Sequence, residues 1–429
     1  MSVKVSVILP SLNVGRYIAG CLESVIGQSL REIEMICVDA GSTDGTLEIL
    51  RRYEAADDRI RVICSDKKSY GRQMNMGMAA AKGEYVGIVE TDDFILPGMY
   101  EELYRKAKDN DADFVKADFY RFTGEGENIR RALYRLSGKA RYYDCIIDVE
   151  KTQECFSFPM NTWSGIYKRE FLIKNNIRHN ETPGASYQDT GFWFQTFVYA
   201  KRAYFVDRAY YMNRRDNPDS SVFSKSKVYC ASDEYRYILN ILRRDEALWN
   251  RFRHVYAVSC YQAYKGSLGR MAQEYRAEFI ARFAEDFREL ERLGALKKEC
   301  FHDTDWRTLC FIMKNPQDYY RHFILIRESL YEQARRFERI IIFGAGMVGK
   351  RTFQDLKEGG YRGRIVCFAV SQRQGNLNKY KDIPVIIIDE LLAYRKNSLV
   401  VIAVSAFLQQ EIKDRLEALG FENVFPLPE

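Results

Sequence analysis

Residues 86–94 read VGIVETDDF, an apolar run followed directly by Glu90, Asp92 and Asp93. The apolar run predicts a strand that is buried on both faces. Carboxylates at the end of such a strand can be solvated, can cap the next helix or can hold a divalent cation. Pro97 falls at a plausible first helical turn, which makes a cap a real option for Asp93. The stretch alone leaves these alternatives open.

Strand-like and helix-like segments alternate through the first 120 residues. The strand-like segments are VKVSVIL, EIEMICVD, IRVICS and EYVGIVE, and the helix-like segments cover 14–28, 43–55, 72–82 and 97–110. This alternation predicts an α/β fold with a mostly parallel sheet covered by helices. Because ligands collect at the carboxyl ends of such strands, we expect one rim to gather residues 10–13, 39–44, 65–71 and 90–93.

Three regions are predicted along the chain. Residues 1–224 form the α/β domain, in which the aromatic-rich segment 121–222 is expected to close over the rim. Residues 225–337 form a helical middle region, because apolar and aromatic residues recur there at spacings of three and four. Residues 338–429 return to strand, glycine turn and helix, which predicts a small Rossmann-like α/β domain.

Bulk composition narrows the class of protein. The 429 residues carry a net charge of +6 and no long run of like charge, which argues against a nucleic-acid partner. No segment approaches the roughly 18 apolar residues needed to span a bilayer, and MSVKVSVILP is typical of a strand, not a signal peptide. The ten cysteines are dispersed singly. We therefore expect a cytoplasmic protein, with membrane association on the inner face and homo-oligomer formation left open.

Five motifs resemble glycosyltransferase family 2, whose members are inverting enzymes with the GT-A fold. They are PSLN at 10–13, VDAGSTDGT at 38–46, SYGRQMNMG at 69–77, the acidic end at 90–93 and the segment containing QDTGF at 188–192. The resemblance covers roughly residues 3–222. It implies transfer of a sugar from a nucleotide diphosphate sugar to a saccharide or lipid-linked hydroxyl acceptor, with Mg²⁺ or Mn²⁺, in cell-surface polysaccharide or glycolipid synthesis.

The resemblance also implies a donor site. Transferred by position, the residues that bind the donor nucleotide are Pro10, Ser11, Asn13, Asp39, Arg72, Asn75, Asp92, Arg214 and Arg215. The metal falls to Asp93 and Asp92, with Glu90 reaching it through water. Two departures stand out, because Ala40 replaces an acid that often reads the base and Met74 replaces an arginine. Uracil recognition is therefore not assumed. For Arg72, Arg214 and Arg215, the alternative to donor binding is a solvated position on the surface.

Transfer with inversion needs a general base to take the proton of the acceptor hydroxyl. The resemblance places this base at Asp189, with Gln188 replacing the usual neighbouring acid and Phe192 matching the family's aromatic residue. Trp163 and Gly165, in the turn-like NTWSG, are expected on the acceptor side. The plainer alternatives are a helix cap for Asp189 and a core position for Trp163.

GAGMVG at 344–349 follows the strand RIIIF and opens a helix, the context of a dinucleotide-binding loop. Gly344, Gly346 and Gly349 are thus candidates for a nucleotide loop. The next strand ends at Ser371 without the acid that would hold a ribose, so a structural or oligomerising role is the alternative. Two other functions therefore stay open: a non-catalytic nucleotide-sugar-binding or scaffold protein, and an NAD-dependent sugar-modifying enzyme acting through this domain.

Overall fold

The computed structural model describes residues 2–218, 228–321, 326–358, 360–372 and 378–427. The chain divides into two compact units. The first contains Met1–Tyr275 and Asp286–Trp306, and the second contains Arg276–Glu285 and Arg307–Glu429. The three regions predicted from sequence, with boundaries at 224/225 and 337/338, stay a prediction beside this division.

The first unit alternates strands and helices before it becomes helical. Its strands are β1 (Val5–Ser11), β2 (Ile33–Asp39), β3 (Ile60–Cys64), β4 (Tyr85–Ile88), β5 (Phe94–Ile95), β6 (Phe114–Thr123), β7 (Arg130–Tyr134), β8 (Ile146–Ile147), β9 (Gly165–Lys168) and β10 (Ala203–Arg214). Its helices are α1 (Ile18–Ile26), α2 (Thr46–Ala56), α3 (Tyr70–Ala80), α4 (Met99–Asp109), α5 (Arg169–Lys174), α6 (Gln188–Tyr199), α7 (Cys230–Leu242) and α8 (Glu246–Arg270). Two further helices, α9 (Gln273–Arg292) and α10 (Asp303–Lys314), have residues in both units.

The strands of the first unit form one sheet in the order β3-β2-β1-β4-β9-β6-β10-β5, with β7 on β6 and β8 on β10. Parallel pairing joins β1 to both β2 and β4, β2 to β3, and β6 to β10. The short β9 runs antiparallel between β4 and β6. The predicted α/β class with a mainly parallel sheet is confirmed, and the antiparallel β9 is the feature that alternation did not predict.

Burial agrees with the predicted central strands. All seven residues of β1 and all four of β4 are buried. Helix α3 lies close against β1, because a side chain at Gly77 would place its Cβ 2.5 Å from Cγ2 of Ile8. The carboxyl ends align across the sheet, with Ser11 opposite Asp39 and Asp39 opposite Cys64. The predicted rim is therefore present.

All four predicted helices begin at residues other than those expected, with α1 four residues late at Ile18 and α2 three residues late at Thr46. Helix α3 begins at Tyr70, two residues early, because Ser69 is its N-cap and its Oγ accepts a hydrogen bond from the Arg72 N–H at 3.2 Å. Helix α4 begins at Met99, two residues late, because Gly98 adopts φ 82°, which glycine tolerates and a helix interior does not. Local capping thus decides the starts of α3 and α4.

The second unit contains a smaller sheet. Its strands are β11 (Arg339–Phe343), β12 (Arg364–Val370), β13 (Lys379–Tyr380), β14 (Ile383–Ile387), β15 (Leu399–Ile402) and β16 (Val424–Pro426), in the order β13-β14-β12-β11-β15-β16. Its own helices are α11 (Pro316–Tyr319), α12 (Ile326–Ala334), α13 (Met347–Glu358) and α14 (Ala406–Ala418). All pairs except β13 with β14 are parallel. The order of its parallel strands is that of a doubly wound sheet.

Across the described residues of both units, no helix is long and apolar enough to cross a membrane.

Candidate active site

Side-chain hydrogen bonds join the loops that leave β1, β2 and β4. Thr91 Oγ1 donates to the Pro10 carbonyl at 2.7 Å. The side-chain oxygen of Asn13 accepts from the Thr43 N–H at 2.9 Å, and the Asn13 N–H donates to Ser42 Oγ at 2.9 Å. Asn13 adopts φ 53°, a left-handed conformation for which asparagine is among the favoured residues. These bonds make the rim one connected surface.

The carboxylate of Asp39 is turned into the loop that follows β2. It accepts from the backbone N–H groups of Gly41 and Ser42, each at 2.9 Å, and from Ser42 Oγ at 2.5 Å. Ser11 Oγ lies 3.5 Å from the same carboxylate and 3.3 Å from the Val38 carbonyl. Asp39 therefore shapes the turn on which a nucleoside would rest, and its contact with the nucleoside stays a prediction.

Asp93 braces strand β10 from inside the protein. It is 2% exposed, and its carboxylate accepts from Tyr211 OH at 2.8 Å, Asn213 Nδ2 at 3.1 Å and the Arg214 N–H at 2.6 Å. Burial, and then the charge of Asp92, hold its pKa well above the usual range. The alternative of a helix cap is wrong, because these donors belong to β10. They also occupy both carboxylate oxygens, so metal binding by Asp93 stays a prediction with this geometry against it.

Glu90 and Asp92 present oxygens toward the rim. Glu90 Oε1 accepts from Tyr70 OH at 2.7 Å, and Asp92 Oδ2 accepts from Asn217 Nδ2 at 2.8 Å. Burial raises the pKa of Glu90 to about 8; the bond from Tyr70 opposes this rise, and the charges of Asp92 and Asp189 add to it. The charges of Asp92 and Asp189 thus both act on Glu90, although the described residues contain no group of three side chains placed to hold a metal ion.

Tyr70 is a site residue that the sequence analysis missed. Its hydroxyl holds Glu90, and its backbone N–H donates to the Gly184 carbonyl at 2.9 Å, in the loop that precedes Asp189. The sequence signal was SYG at 69–71, where Ser69 caps the helix and Tyr70 is its first residue. Tyr70 therefore connects the acidic strand end to the loop of the predicted base.

Replacing Tyr70 with Phe removes the hydroxyl and leaves Glu90 without its donor. We expect the Kd of the nucleotide diphosphate in the presence of Mn²⁺ to rise about tenfold, since a hydrogen bond to a charged group contributes about 1.5–3 kcal/mol. Calorimetric titration measures this change. Tyr53→Phe is the matched control, because its hydroxyl also binds a glutamate, Glu23, at 2.9 Å. Equal affinity in the two variants would contradict the role of Tyr70.

Arg72 and Asn75 lie on α3 but point to protein partners. Arg72 Nε donates to Asp66 at 2.9 Å, and its guanidinium lies 3.7 Å from Glu181. Asn75 is buried; its Nδ2 donates to the His179 carbonyl at 2.9 Å, and its Oδ1 accepts from the His179 N–H at 3.0 Å. Asn75 thus fixes the segment after α5, and donor binding by either residue stays a prediction.

The two arginines that end β10 differ in position. Arg214 donates from Nε to the Asp92 carbonyl at 2.9 Å, and its guanidinium lies 4.6 Å from the ring centroids of Tyr17 and Phe122. Its side chain is 11% exposed, so Arg214 braces the acidic strand end. Arg215 is exposed and is the better placed of the two for a phosphate. The segment 219–227 that follows lies outside the described residues.

Asp189 lies in the first turn of α6 and is half-buried. Its Oδ1 accepts from the Thr190 N–H at 2.9 Å, and burial raises its pKa. The neighbouring Gln188 stands where the family usually has an acid, and its contacts give the reason. Its side-chain Nε2 donates to Thr182 Oγ1 at 3.0 Å and to the Gly184 carbonyl at 3.1 Å. An ionised carboxylate could not donate these bonds. Gln188 therefore holds the loop, and Asp189 remains oriented by its helix.

Glu234, on α7, is a second carboxyl group near the predicted base. It is 1% exposed; Oε2 accepts from Asn180 Nδ2 at 3.0 Å, while Oε1 is buried and, among the described residues, meets no donor in hydrogen-bonding geometry. A Cβ at Gly191 would lie 1.9 Å from Oε1, so only glycine fits there. Burial raises the pKa of Glu234 to about 8; the Asn180 bond opposes this and the Asp189 charge adds to it. No motif marked this residue, because its partners are distant in sequence.

Glu234→Gln tests this burial through the pH dependence of stability. The pKa of Glu234 is raised from 4.5, its ordinary value, to about 8 in the folded protein. Its contribution to the unfolding free energy is therefore fully present below pH 4.5 and is lost as the pH rises through 8. We expect the unfolding free energy of wild type to fall by roughly 3 kcal/mol more than that of the variant between pH 5 and 8.5. Denaturant titrations measure the difference. Glu299→Gln, at an exposed position, should follow wild type; parallel curves for all three proteins would contradict the prediction.

Trp163 and Gly165 meet the site from the β9 side. The Trp163 ring stacks on Tyr211 at 4.2 Å between centroids and meets Phe119 edge-on at 4.8 Å. Gly165 has no room for a side chain, since its Cβ would lie 2.3 Å from the Val115 carbonyl. Trp163 therefore packs on the tyrosine that holds Asp93, and contact of either residue with an acceptor stays a prediction.

In the glycine loop of the second unit, two of the three glycines have packing reasons. A Cβ at Gly344, where φ is 115°, would lie 2.5 Å from the Ala403 carbonyl, and one at Gly349 would lie 1.8 Å from the Gly344 carbonyl. A Cβ at Gly346 would meet nothing within 4 Å. Packing against Ala403, which follows β15, accounts for Gly344, and close approach of α13 to the end of β11 accounts for Gly349. A nucleotide at this loop stays a prediction.

Comparison with known proteins places the chain among glycosyltransferases. The family model for glycosyl transferase family 2 matches residues 6–174. Glycosyltransferase GlyG of Streptococcus pneumoniae is 30% identical over 223 residues, which are 50% of this chain and 72% of that protein. The cholesterol galactosyltransferase of Borreliella burgdorferi is 30% identical over 271 residues, 61% of this chain and 73% of that protein.

A solved structure shares the fold. The crystal structure of S. aureus TarS 1-349 in complex with UDP-GlcNAc superposes with a TM-score of 0.60 at 19% identity, and the match covers 77% of this chain and 92% of that one.

Proposed function

The chain belongs to glycosyltransferase family 2, and on that premise we propose that it transfers a sugar from a nucleotide diphosphate sugar to a hydroxyl acceptor, with inversion and with a divalent cation. The burial and position of the Asp189 carboxylate are the observation that supports the proposal most directly. Asp189 is a half-buried carboxylate that accepts a hydrogen bond from the Thr190 N–H, and its charge contributes to the raised pKa of Glu90 on the rim.

Asp189 has the properties of a general base. As the acceptor oxygen attacks the anomeric carbon, Asp189 takes the hydroxyl proton, and the bond from that carbon to the diphosphate oxygen breaks with its electrons on the diphosphate. The raised pKa makes the carboxylate a stronger base than an exposed aspartate. Its place in the first turn of α6 orients it and favours its charged form.

The acidic strand end has the donor chemistry that a hard cation needs. Mg²⁺ and Mn²⁺ take carboxylate oxygens together with water and phosphate oxygens, so one or two protein ligands suffice. Asp92 and Glu90 fit this requirement, because among the described residues each accepts a side-chain hydrogen bond at only one carboxylate oxygen, which leaves the other for a cation. A cation bound there would neutralise charge on the diphosphate leaving group. Arg214, meanwhile, holds the Asp92 backbone in place.

Membership of the family does not define the acceptor, so the acceptor class is a separate part of the proposal. A relative named as a cholesterol galactosyltransferase supports a lipid-borne hydroxyl as one acceptor class. A saccharide acceptor in cell-surface polysaccharide synthesis is the other class. We also propose that the protein acts at the inner face of the membrane and assembles as a homo-oligomer.

Titration with UDP, GDP, CDP and dTDP, each with and without Mn²⁺, tests the donor assignment. We expect one diphosphate to bind in a Mn²⁺-dependent manner, and the one that binds identifies the base that Ala40 leaves open. NAD is the comparison ligand. Binding of NAD with no binding of any diphosphate would overturn the proposal in favour of a nucleotide site in the second unit. Diphosphate binding without sugar transfer to any acceptor would favour a non-catalytic binding protein.

A further inference from the structure

An open pocket of about 700 Å³ lies at the amino edge of the second sheet, opposite the edge of the glycine loop. It forms where α12 leads into β11 and where the turn at 360–363 leads into β12. Arg335, Arg336 and Arg362 line it. Neither the family motifs nor the proposed transfer assigns any role to this pocket.

The arginines at this edge have few protein partners; the Arg339 guanidinium lies 6.0 Å from the ring centroid of Tyr394. Arg335, Arg336 and Arg362 are exposed, as are Arg339 and Arg364 at the first positions of β11 and β12. Among the described residues, no side-chain hydrogen bond or ion pair is made by any of these five. Other arginines of the same unit are paired: Arg415 lies 2.7 Å from Asp389, and Arg276 lies 3.3 Å from Glu328. What distinguishes Arg335, Arg336 and Arg362 is that they line one pocket together.

The arrangement concentrates like charge. Arg339 and Arg364 are register partners on parallel neighbouring strands, so their side chains leave the same face of the sheet. Like charges at such positions destabilise a sheet. Glu338 is the acidic residue that lines the pocket, and within the described chain it forms no ion pair with the arginines. Arg339 and Arg364 do not line the pocket; an anion bound there would offset the repulsion among Arg335, Arg336 and Arg362, which do.

The pocket has a fixed floor. Tyr361 is buried and its hydroxyl donates to the Phe337 carbonyl at 2.9 Å, while the Arg364 N–H donates to the Glu338 carbonyl at 2.8 Å. A Cβ at Gly363 would lie 2.3 Å from the Tyr361 hydroxyl oxygen, so the turn is packed against the ring. The backbone that carries the arginines is thus held in place before any ligand binds.

We propose that this arginine pocket binds phosphate groups. The planar guanidinium donates two parallel hydrogen bonds to a phosphate, and several guanidinium groups around one pocket match the charge of a phosphate-bearing ligand. This phosphate can come from the headgroup of an anionic phospholipid or from a soluble phosphate compound. The site lies in the second unit and does not depend on the proposed sugar transfer.

The test uses the full chain and two probes. Co-sedimentation with phosphatidylcholine vesicles, with and without phosphatidylglycerol, measures headgroup binding, and calorimetric titration with inorganic pyrophosphate measures binding of a soluble phosphate. The test variant carries Arg335→Ala, Arg336→Ala and Arg362→Ala. The control carries Arg307→Ala, Arg351→Ala and Arg395→Ala, which remove the same charge from exposed positions elsewhere in the unit.

We expect wild type and control to bind, and the test variant to bind phosphatidylglycerol vesicles about 100-fold more weakly, since each basic residue near an anionic surface contributes about 1 kcal/mol. Vesicle binding without pyrophosphate binding assigns the headgroup, and pyrophosphate binding assigns a soluble phosphate. Equal binding by the test and control variants overturns the proposal, as does a wild type that binds neither probe. Because the three side chains are exposed, equal melting temperatures are expected and verify the fold.

Discussion

Asp189→Asn is expected to lower kcat by about 10³-fold, within the range that general bases contribute. The substitution keeps the size of the side chain and its hydrogen bond from the Thr190 N–H, but removes the group that accepts the hydroxyl proton. Transfer would be measured with the donor identified by titration. The Kd of the nucleotide diphosphate should stay within about twofold of wild type, because Asp189 is assigned to the acceptor proton.

Asp207→Asn is the matched control, since Asp207 is an exposed aspartate of the same unit that pairs with Arg135 at 3.0 Å. It should keep wild-type transfer. The pH profile gives a second readout: because burial raises the pKa of Asp189, kcat/KM of wild type should rise with pH through a value above that of an exposed aspartate. Full transfer by the Asn variant would exclude Asp189 as the base.

Substitutions at the adjacent carboxylates Asp92 and Asp93 are expected to have different effects. Asp92→Asn should lower activity, and Asp93→Ala should lower stability. Asp92 is half-exposed on the rim, so its neutral variant should lower transfer by about 100-fold while the fold is kept. Asp93 accepts from Tyr211, Asn213 and Arg214, and its removal strands these donors. The loss of unfolding free energy should be about 2–4 kcal/mol.

Two measurements on each variant separate these outcomes: transfer at saturating donor, and chemical denaturation. Asp58→Asn, at an exposed position in the turn between α2 and β3, serves as a control that should change neither. A stable Asp93→Ala protein with lost Mn²⁺-dependent binding would instead restore Asp93 to the metal site. Full activity in Asp92→Asn would remove Asp92 from the donor site.

Much of the first unit could be predicted from local patterns. Apolar runs in β1, β2 and β4 and the helical periodicity between them predicted a parallel sheet, because each strand carries its own burial signal. The antiparallel β9 was not predicted, since its four residues GIYK are too few to give a clear burial pattern. Helix starts at Tyr70 and Met99 were missed by two residues each, because a cap at Ser69 and a positive φ at Gly98 decide them.

The site divides in the same way. The sequence by itself determined where the candidate acids lie in the fold: Asp39 ends β2, Glu90 and Asp92 follow β4, and Asp189 lies in the first turn of α6. Their roles in the donor and acceptor sites stay predictions from the family motifs. Only the tertiary structure decided which donors surround each carboxylate. It turned Asp93 inward to three donors of β10 and brought Glu234 from α7 to the start of α6. The physical reason is that a carboxylate's role depends on the donors and the burial around it, and for Asp93 and Glu234 the donors come from residues more than 40 positions away in the chain.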